Sequence, residues 1–403
     1  MSGRTATAGA EHVTPTSSEA PTAGTRPKGR FPAGGTGLRA DPPASRGRHA
    51  GPVHRPDLSA PAPPTATDRV EALDALRGLA LCGILPINMI AIADLPFLAG
   101  PWQGALPQWL ELTAHQRFFP LFSFLFGLST ALILDGAAGR TARPWLVLLR
   151  RLLALGVLGA AHQLLQPGEA LLPYAIVGLV VLLPASWLPR PVIALGGAVA
   201  IGVALTFTSG GLLLIPGLFL LGLAAARYGL HHQIAAPNRA AWTAVLAGAV
   251  VAAVPLLRIQ VDTIENSGFD QVSSTAGLVM AVGYASALVL LTASPVGPWV
   301  SSVLAPLGRL ALTNYLSATL LVLLLTMVPA FSGPGGYRVL LPFAAAILVV
   351  QVVASRWWMR RFRYGPVEWV LRSISWWAPV RMTPPDGGHP DVRTSLQPDG
   401  RAS

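Results

Sequence analysis

Beyond about residue 67 the chain alternates long apolar runs with short polar joints. Ten runs of roughly 16–22 residues are each long enough, or nearly so, to cross a bilayer core as a helix. They lie near 75–94, 118–135, 145–165, 169–188, 192–207, 212–227, 241–258, 274–294, 306–327 and 338–355. The pattern predicts an all-α, polytopic integral membrane helical bundle of about ten transmembrane helices. Very short joints such as "QPGE" and "TSGG" predict tight antiparallel hairpins, one of them pairing the short, Gly-rich fifth run with its successor.

The first 67 residues are different. They are rich in Pro, Gly, Ala, Ser and Arg and nearly devoid of large apolar residues, so they cannot bury enough surface to order themselves. A disordered tail over 1–67, a membrane domain over 68–381 and a second disordered tail over 382–403 are therefore expected. No apolar signal-peptide core precedes the first run, which would itself direct insertion.

Composition agrees with the pattern. The 403 residues are 52% hydrophobic and only 12% charged, too few charges to cover a soluble domain of this size. The net charge of +11 does not imply nucleic acid as a partner, because the arginines form no single patch. With the N-terminus inside, the inner joints collect Arg140, Arg143, Arg150, Arg151, Arg190, Arg227, Arg239 and Arg309, and the last inner segment Arg356, Arg360, Arg361 and Arg363. The outer joints hold only Arg117, Arg258 and Arg338, and they collect Asp94, Glu111, Glu169, Asp262, Glu265 and Asp270. That asymmetry predicts both termini in the cytoplasm and a multi-pass protein of the cell membrane. Cys82 is the sole cysteine, so no intrachain disulfide can form.

Three polar groups interrupt the apolar runs. In "RVEALDALRGLALCGILPINM", Asp74, Arg77 and Asn88 share one helical face, with Asp74 and Arg77 spaced to pair. They are read either as packing contacts or as the lining of a solvated site. A second group, on the outer side, comprises His115 before the second run, and His162 with Glu169 across the turn in "AHQLLQPGEALLPYA". A histidine with a carboxylate partner is a candidate general base; ordinary interfacial polar residues are the plainer reading. The third group is cytoplasmic. "GRLALTNYL" puts Arg309 and Thr313 on one face of the ninth run with Asn314 nearby, and "SRWWMRRFRYGPVEWVLRS" reads as an amphipathic headgroup segment in which a turn at Gly365–Pro366 would present Tyr364 and Glu368 toward the spans. No metal-ligand spacing, Walker loop or nucleotide fingerprint is present, so no bound metal or cofactor is expected.

Five blocks together carry a resemblance: "RVEALDALRGLALCGILPINM", "FFPLFSFLFGLSTAL", "GEALLPYAIVGLVVLL", "GRLALTNYLS" and "SRWWMRRFRYGPVEWVLRS". In this order they resemble the signature blocks of the YeiB-like family, bacterial membrane proteins with a domain of unknown function (DUF418), whose signature C-terminal half corresponds to about 210–381. Glu169 stands where the family usually has Asp. More distantly, "LDALRGLA" is similar to the opening of transmembrane acyltransferases of the heparan glucosaminide acetyltransferase type. That likeness implies an acyl-CoA-type donor as cosubstrate and transfer to an extracytoplasmic or lipid-linked acceptor. Under this reading Arg77, Arg309 and Arg363 hold donor phosphates, His162 with Glu169 or else His115 acts as base, and Asn88 steadies the oxyanion. The other reading is a permease for a small metabolite or lipid, using the same polar stripe without chemistry. The lipid bilayer and a small-molecule or lipid substrate are the expected partners; the oligomeric state is left open.

Overall fold

The computed structural model describes residues 66–95, 105–262, 270–328 and 336–383. Among them all regular structure is helical, as long apolar runs in lipid require, because a helix satisfies its own backbone. The helices are α1 (Ala66–Ile92), α2 (Ala105–Thr113), α3 (Phe118–Ala138), α4 (Pro144–His162), α5 (Leu171–Val177), α6 (Leu183–Ala185), α7 (Arg190–Phe207) and α8 (Ile215–Arg227). They continue with α9 (Leu230–Ala235), α10 (Arg239–Asp262), α11 (Gln271–Thr292), α12 (Gly297–Arg309), α13 (Ala311–Thr326), α14 (Gly336–Met359) and α15 (Pro366–Trp376). The expected tails, 1–67 and 382–403, lie outside the described residues except for Ala66 and Thr67, which open α1, and Met382 and Thr383.

Seven helical segments are long and apolar enough to cross a bilayer, and the pair α12–α13 makes an eighth if it is one span. The other two of the ten expected runs are shorter helices, Leu171–Ala185 and Gly211–Arg227. The first is interrupted by a π-helical turn at Gly178–Leu182 between α5 and α6. The second opens with a single 3-10 turn, Gly211–Leu214, where Gly210 and Gly211 take φ 88° and 62°.

The ninth run is not one straight helix. α12 and α13 meet at 79°, with Leu310 as the break. Pro306 inside α12 has no N–H to continue the ladder, and beyond Leu310 the amides of Leu312 and Thr313 turn to Glu368 instead. Arg309 and Thr313 therefore belong to different helices and do not share a face, as a straight helix would have placed them.

Glycines set the closest helix contacts. A Cβ on Gly78 would overlap the Leu304 carbonyl, and one on Gly308 the Asp74 carbonyl, so α1 and α12 touch backbone to backbone. Gly127 and Gly222 do the same for α3 and α8, against the carbonyls of Phe219 and Phe124. Small residues at such crossings are how membrane helices gain van der Waals contact where lipid offers no hydrophobic drive. Around the second crossing Phe126 stacks on Phe219 at 4.8 Å, and Tyr174 meets Phe219 edge-on at 5.0 Å. α10 lies at the periphery, with only Ala253 and Gln260 of its residues buried inside the protein. α7 and α8 pack together as the hairpin that the short fifth run predicts, with Gly217 against the Gly197 carbonyl.

The C-terminal segment departs from a simple interfacial amphipath. α15 packs on α4 and α13, burying Leu371 and Ser375. Two of its tryptophans are hydrogen-bonded within the segment, Trp358 donating to the Tyr364 carbonyl at 2.9 Å and Trp369 to that of Val380 at 2.7 Å. Its place beside α4 and α13 makes it a wall of the site described next.

Candidate functional site

A cavity of about 630 Å³ runs through the bundle between α1, α3, α4, α5, α13 and α15. On α3 its lining extends from Phe118 to Gly136, which is about 27 Å of helix at 1.5 Å per residue and close to a bilayer's hydrocarbon thickness. Its two ends are polar and its middle is built from Phe119, Phe122, Phe126, Leu125, Ile84 and their neighbours. That volume falls in the range of sites for small organic ligands.

Five arginines gather at one end: Arg77, Arg140, Arg151, Arg309 and Arg372. Asp74, itself 3% exposed, holds two of them. Arg77 forms an ion pair with its Oδ1 one helical turn away, and the Arg309 Nε lies 3.9 Å from its Oδ2. The other arm of Arg77 donates to the Ser129 hydroxyl of α3 at 2.6 Å. The expected Asp74–Arg77 pairing is thus present, with Arg309 as a third member brought in by the α12–α13 bend. Arg140 lies over the Trp376 ring at 4.9 Å and Arg372 over Tyr364 at 4.7 Å.

Arg151 has no hydrogen bond or ion pair with any described residue. The charges acting on it are the like charges of Arg372 and Arg77 and the opposite one of Glu368. Glu368 is already engaged elsewhere. Its Oε1 accepts from the amides of Leu312 at 2.8 Å and Thr313 at 3.0 Å, and its Oε2 from the Thr313 hydroxyl at 2.5 Å. It therefore caps the start of α13 from a helix more than fifty residues away, favourable at the positive end of a helix. Five cations facing two committed carboxylates leave this end with a surplus of positive charge.

The other end has two histidines in different settings. His162, closing α4, places Nδ1 3.4 Å from Glu169 Oε2 and Nε2 3.1 Å from the Thr319 hydroxyl of α13. Thr319 in turn donates to Gln166 at 2.9 Å. Glu169 accepts from the amides of Leu171 and Leu172 at 2.6 and 2.8 Å, which starts α5. The expected meeting of His162 and Glu169 across their turn occurs, but both nitrogens of His162 have protein partners and only Glu169 of the two lines the cavity. Asn88, on α1, also lines it and reaches the Tyr315 hydroxyl.

His115 does line the cavity. Its Nδ1 lies 2.8 Å from Oε2 of Glu111, both residues being under 5% exposed. Gln260 of α10 and Ser273 of α11 donate to the Glu111 Oε1 at 3.4 and 3.3 Å. Arg117, completely buried, donates to the His115 carbonyl and to Gln260 Oε1, each at 2.6 Å. Between them Gln116 has φ 58°, a left-handed backbone that a non-glycine residue adopts only when its surroundings enforce it. Here the Ser274 hydroxyl donates to Gln116 Oε1 at 2.9 Å and Gly277 allows the Gln116 carbonyl against α11.

The remaining residues expected at the site sit elsewhere. Thr313 serves the cap. Asn314 is buried, donating to the Leu307 carbonyl at 3.1 Å and the Ser355 hydroxyl at 3.0 Å, and so ties α12, α13 and α14 together. Arg363 is exposed and outside the cavity, its amide bonded to the Met382 carbonyl at 2.8 Å. Arg151 and Arg372 take the place assigned to it. Tyr364 and Glu368 do line the cavity. Among the described residues no three His, Cys, Asp or Glu side chains come together as a metal site requires.

Fold and cavity together define a multi-pass membrane protein with a chamber between an arginine-lined and a histidine-lined end. Residues 225–378 match the model of a family described as "Protein of unknown function (DUF418)". An uncharacterised 39.9 kDa protein from the amylase 3′ region of Bacillus acidopullulyticus is 31% identical, over 78% of this chain and 96% of that protein. YxaH of Bacillus subtilis (strain 168) is 24% identical over 80% of this chain and 98% of its own, and YeiB of Escherichia coli (strain K12) 27% over 76% and 96%; both are described as uncharacterised. The chain belongs to this family. No solved structure matches it significantly.

Proposed function

We propose that the protein is an acyltransferase of the cell membrane, with its arginine end toward the cytoplasm. The observation that carries this reading is the single cavity joining a surplus of arginines to a polar end with a carboxylate-paired histidine. The phosphates of an acyl-CoA-type donor would lie against Arg77, Arg151, Arg309 and Arg372, where charge-assisted hydrogen bonds are strongest. The acyl thioester would lie at the other end, beside Asn88, Glu169 and His115, where an acceptor from the far side of the membrane or a lipid arrives. The apolar middle would keep bulk water from the thioester, suppressing its hydrolysis. A permease is the second reading, favoured by the 79° break between α12 and α13, since broken helices line many transport sites.

Equilibrium binding of labelled acyl-CoA to purified protein tests the proposal. Binding is expected, with Arg151→Gln weakening it roughly tenfold, the worth of about one charge-assisted hydrogen bond. Labelled acyl groups should then pass to an acceptor in a membrane extract. Failure of every acyl donor to bind would remove the enzyme reading in favour of the permease.

A further inference from the structure

We infer that Glu111 and His115 form the base of this acyl transfer, His115 as the catalytic residue and Glu111 as its positioning residue; this rests on the acyltransferase reading above. Of the two buried histidines at that end of the chamber, His115 is the one that lines it. His162 is committed to Glu169 through one nitrogen and to Thr319 through the other, the arrangement of a histidine that joins α4 to α13.

The setting of His115 is over-determined in a way packing alone does not call for. Three inward-facing polar side chains, Glu111, Arg117 and Gln260, come from α2, the α2–α3 joint and α10, and Ser273 joins them from α11. Each is under 2% exposed, and burying such groups in a membrane protein is costly unless they serve one another or a site. Of the four, Glu111 reaches the imidazole, and the other three hold Glu111 or the His115 backbone. Glu111 Oε2 lies 2.8 Å from its Nδ1, Gln260 and Ser273 hold the opposite carboxylate oxygen, and Arg117 grips the backbone carbonyl of His115. The left-handed Gln116 joins His115, which lines the chamber, to Arg117, which is hydrogen-bonded within the cluster. A base held through one ring nitrogen by a buried carboxylate is the arrangement that fixes tautomer and orientation in acyl-transfer enzymes.

With Nδ1 taken by Glu111, proton transfer falls to Nε2. The acceptor hydroxyl or amine gives its proton to Nε2 as its oxygen or nitrogen bonds to the thioester carbonyl carbon. The tetrahedral intermediate collapses with cleavage of the C–S bond. The proton on Nε2 then passes to the departing thiolate, leaving acylated acceptor, free thiol and neutral imidazole. Glu111 stays ionised throughout and stabilises the transient imidazolium across the 2.8 Å contact.

The test uses full-length protein in nanodiscs, with acyl-CoA as donor and a membrane extract as acceptor source. Donor binding and donor turnover are measured separately. His115→Gln should cut turnover on the order of a hundredfold or more, the usual scale for losing a general base, with donor binding unchanged. Glu111→Gln, which keeps the shape, should lower kcat about tenfold at unchanged donor KM, and Glu111→Asp should recover part of that loss. Ser273→Ala, which frees the carboxylate without touching the imidazole, should give a smaller fall in kcat. As a reading independent of the acceptor, diethyl pyrocarbonate should modify His115 and spare His162, and Glu111→Gln should slow only the former. Donor binding with undiminished turnover in His115→Gln would overturn the assignment while leaving the acyltransferase reading in place. So would modification of His162 in preference to His115. Absence of donor binding in the parent protein would overturn both.

Discussion

Replacing Glu368 by Ala isolates the structural device that connects the C-terminal helix to the bend in the bundle. The carboxylate accepts three hydrogen bonds, from Leu312 N, Thr313 N and Thr313 Oγ1, and these amides have no partner within α13 because the helix begins there. Loss of a helix cap costs about 0.5–2 kcal/mol, and each amide left unpaired about 1–3 kcal/mol when water cannot reach it. Glu368 lines the chamber, so some water will follow the deletion, and about 3 kcal/mol is the expected total. At roughly 2 °C per kcal/mol for a chain of this size, the melting temperature should fall by about 6 °C. Glu368→Gln retains an acceptor oxygen and should lose about a third of that. The assay is thermal unfolding of purified protein in detergent, without added ligand. That condition separates a cap from a ligand-binding acid, which would leave the unliganded melt unchanged. In the double variant with Thr313→Ala the two losses should sum to less than the separate effects, by about 1 kcal/mol. An unaltered melt for Glu368→Ala, or full additivity with Thr313→Ala, would refute the cap.

Three further outcomes are expected. Asp74→Ala leaves Arg77 and Arg309 without their shared carboxylate and should lower the yield of folded protein by an amount set by about 1–3 kcal/mol, with Arg77→Ala added to it restoring part, as read by fluorescence-detected size exclusion. Gly222→Ala drives a methyl into the Phe124 carbonyl and should lower the melting temperature, whereas Gly136→Ala, which meets nothing within 4 Å, should leave it unchanged or slightly raised. In a Cys82→Ala background, Thr141→Cys should be labelled from the cytoplasmic side and Asp262→Cys from the opposite side; the reverse pattern would invert the proposed orientation.

The helical membrane fold was legible because it depends on run length and on charge between runs, and both are local properties. The Asp74–Arg77 and His162–Glu169 contacts were legible for the same reason, lying three and seven residues apart. The bend at Leu310 was not, because it depends on Glu368 arriving from α15 to take amides that a straight helix would have used itself. Arg151 and Arg372 were hidden in another way. Among arginines that mark topology, nothing in the sequence separates one that faces headgroups from one that faces a chamber. Glu111 carried a usable signal, four residues before His115 and so on the same helical face, but Gln260 and Ser273, which complete its surroundings, lie about 150 residues further on.

The polar stripe on α1 bears on the choice between conduit and enzyme. Read along the helix, Asp74, Arg77 and Asn88 suggest a continuous hydrophilic track. In the bundle they serve two separate ends, Asp74 and Arg77 at the arginine end and Asn88 at Tyr315, about 16 Å apart from Arg77 to Asn88 at the helical rise. Between them α1 offers Leu81, Ile84 and Ile87 to the cavity, and α3 offers Phe119, Phe122, Leu125 and Phe126. A polar solute moving the length of this chamber would shed its hydration against carbon with nothing in exchange, a cost of several kcal/mol for each unpaired polar group. A molecule anchored by its charges at one end and reacting at the other does not have to carry those charges through the apolar stretch. The same apolar stretch that impedes a conduit keeps water from a labile ester. Under the proposed function, this distribution of polarity suits a donor whose charges stay at the arginine end while its acyl group reaches the other.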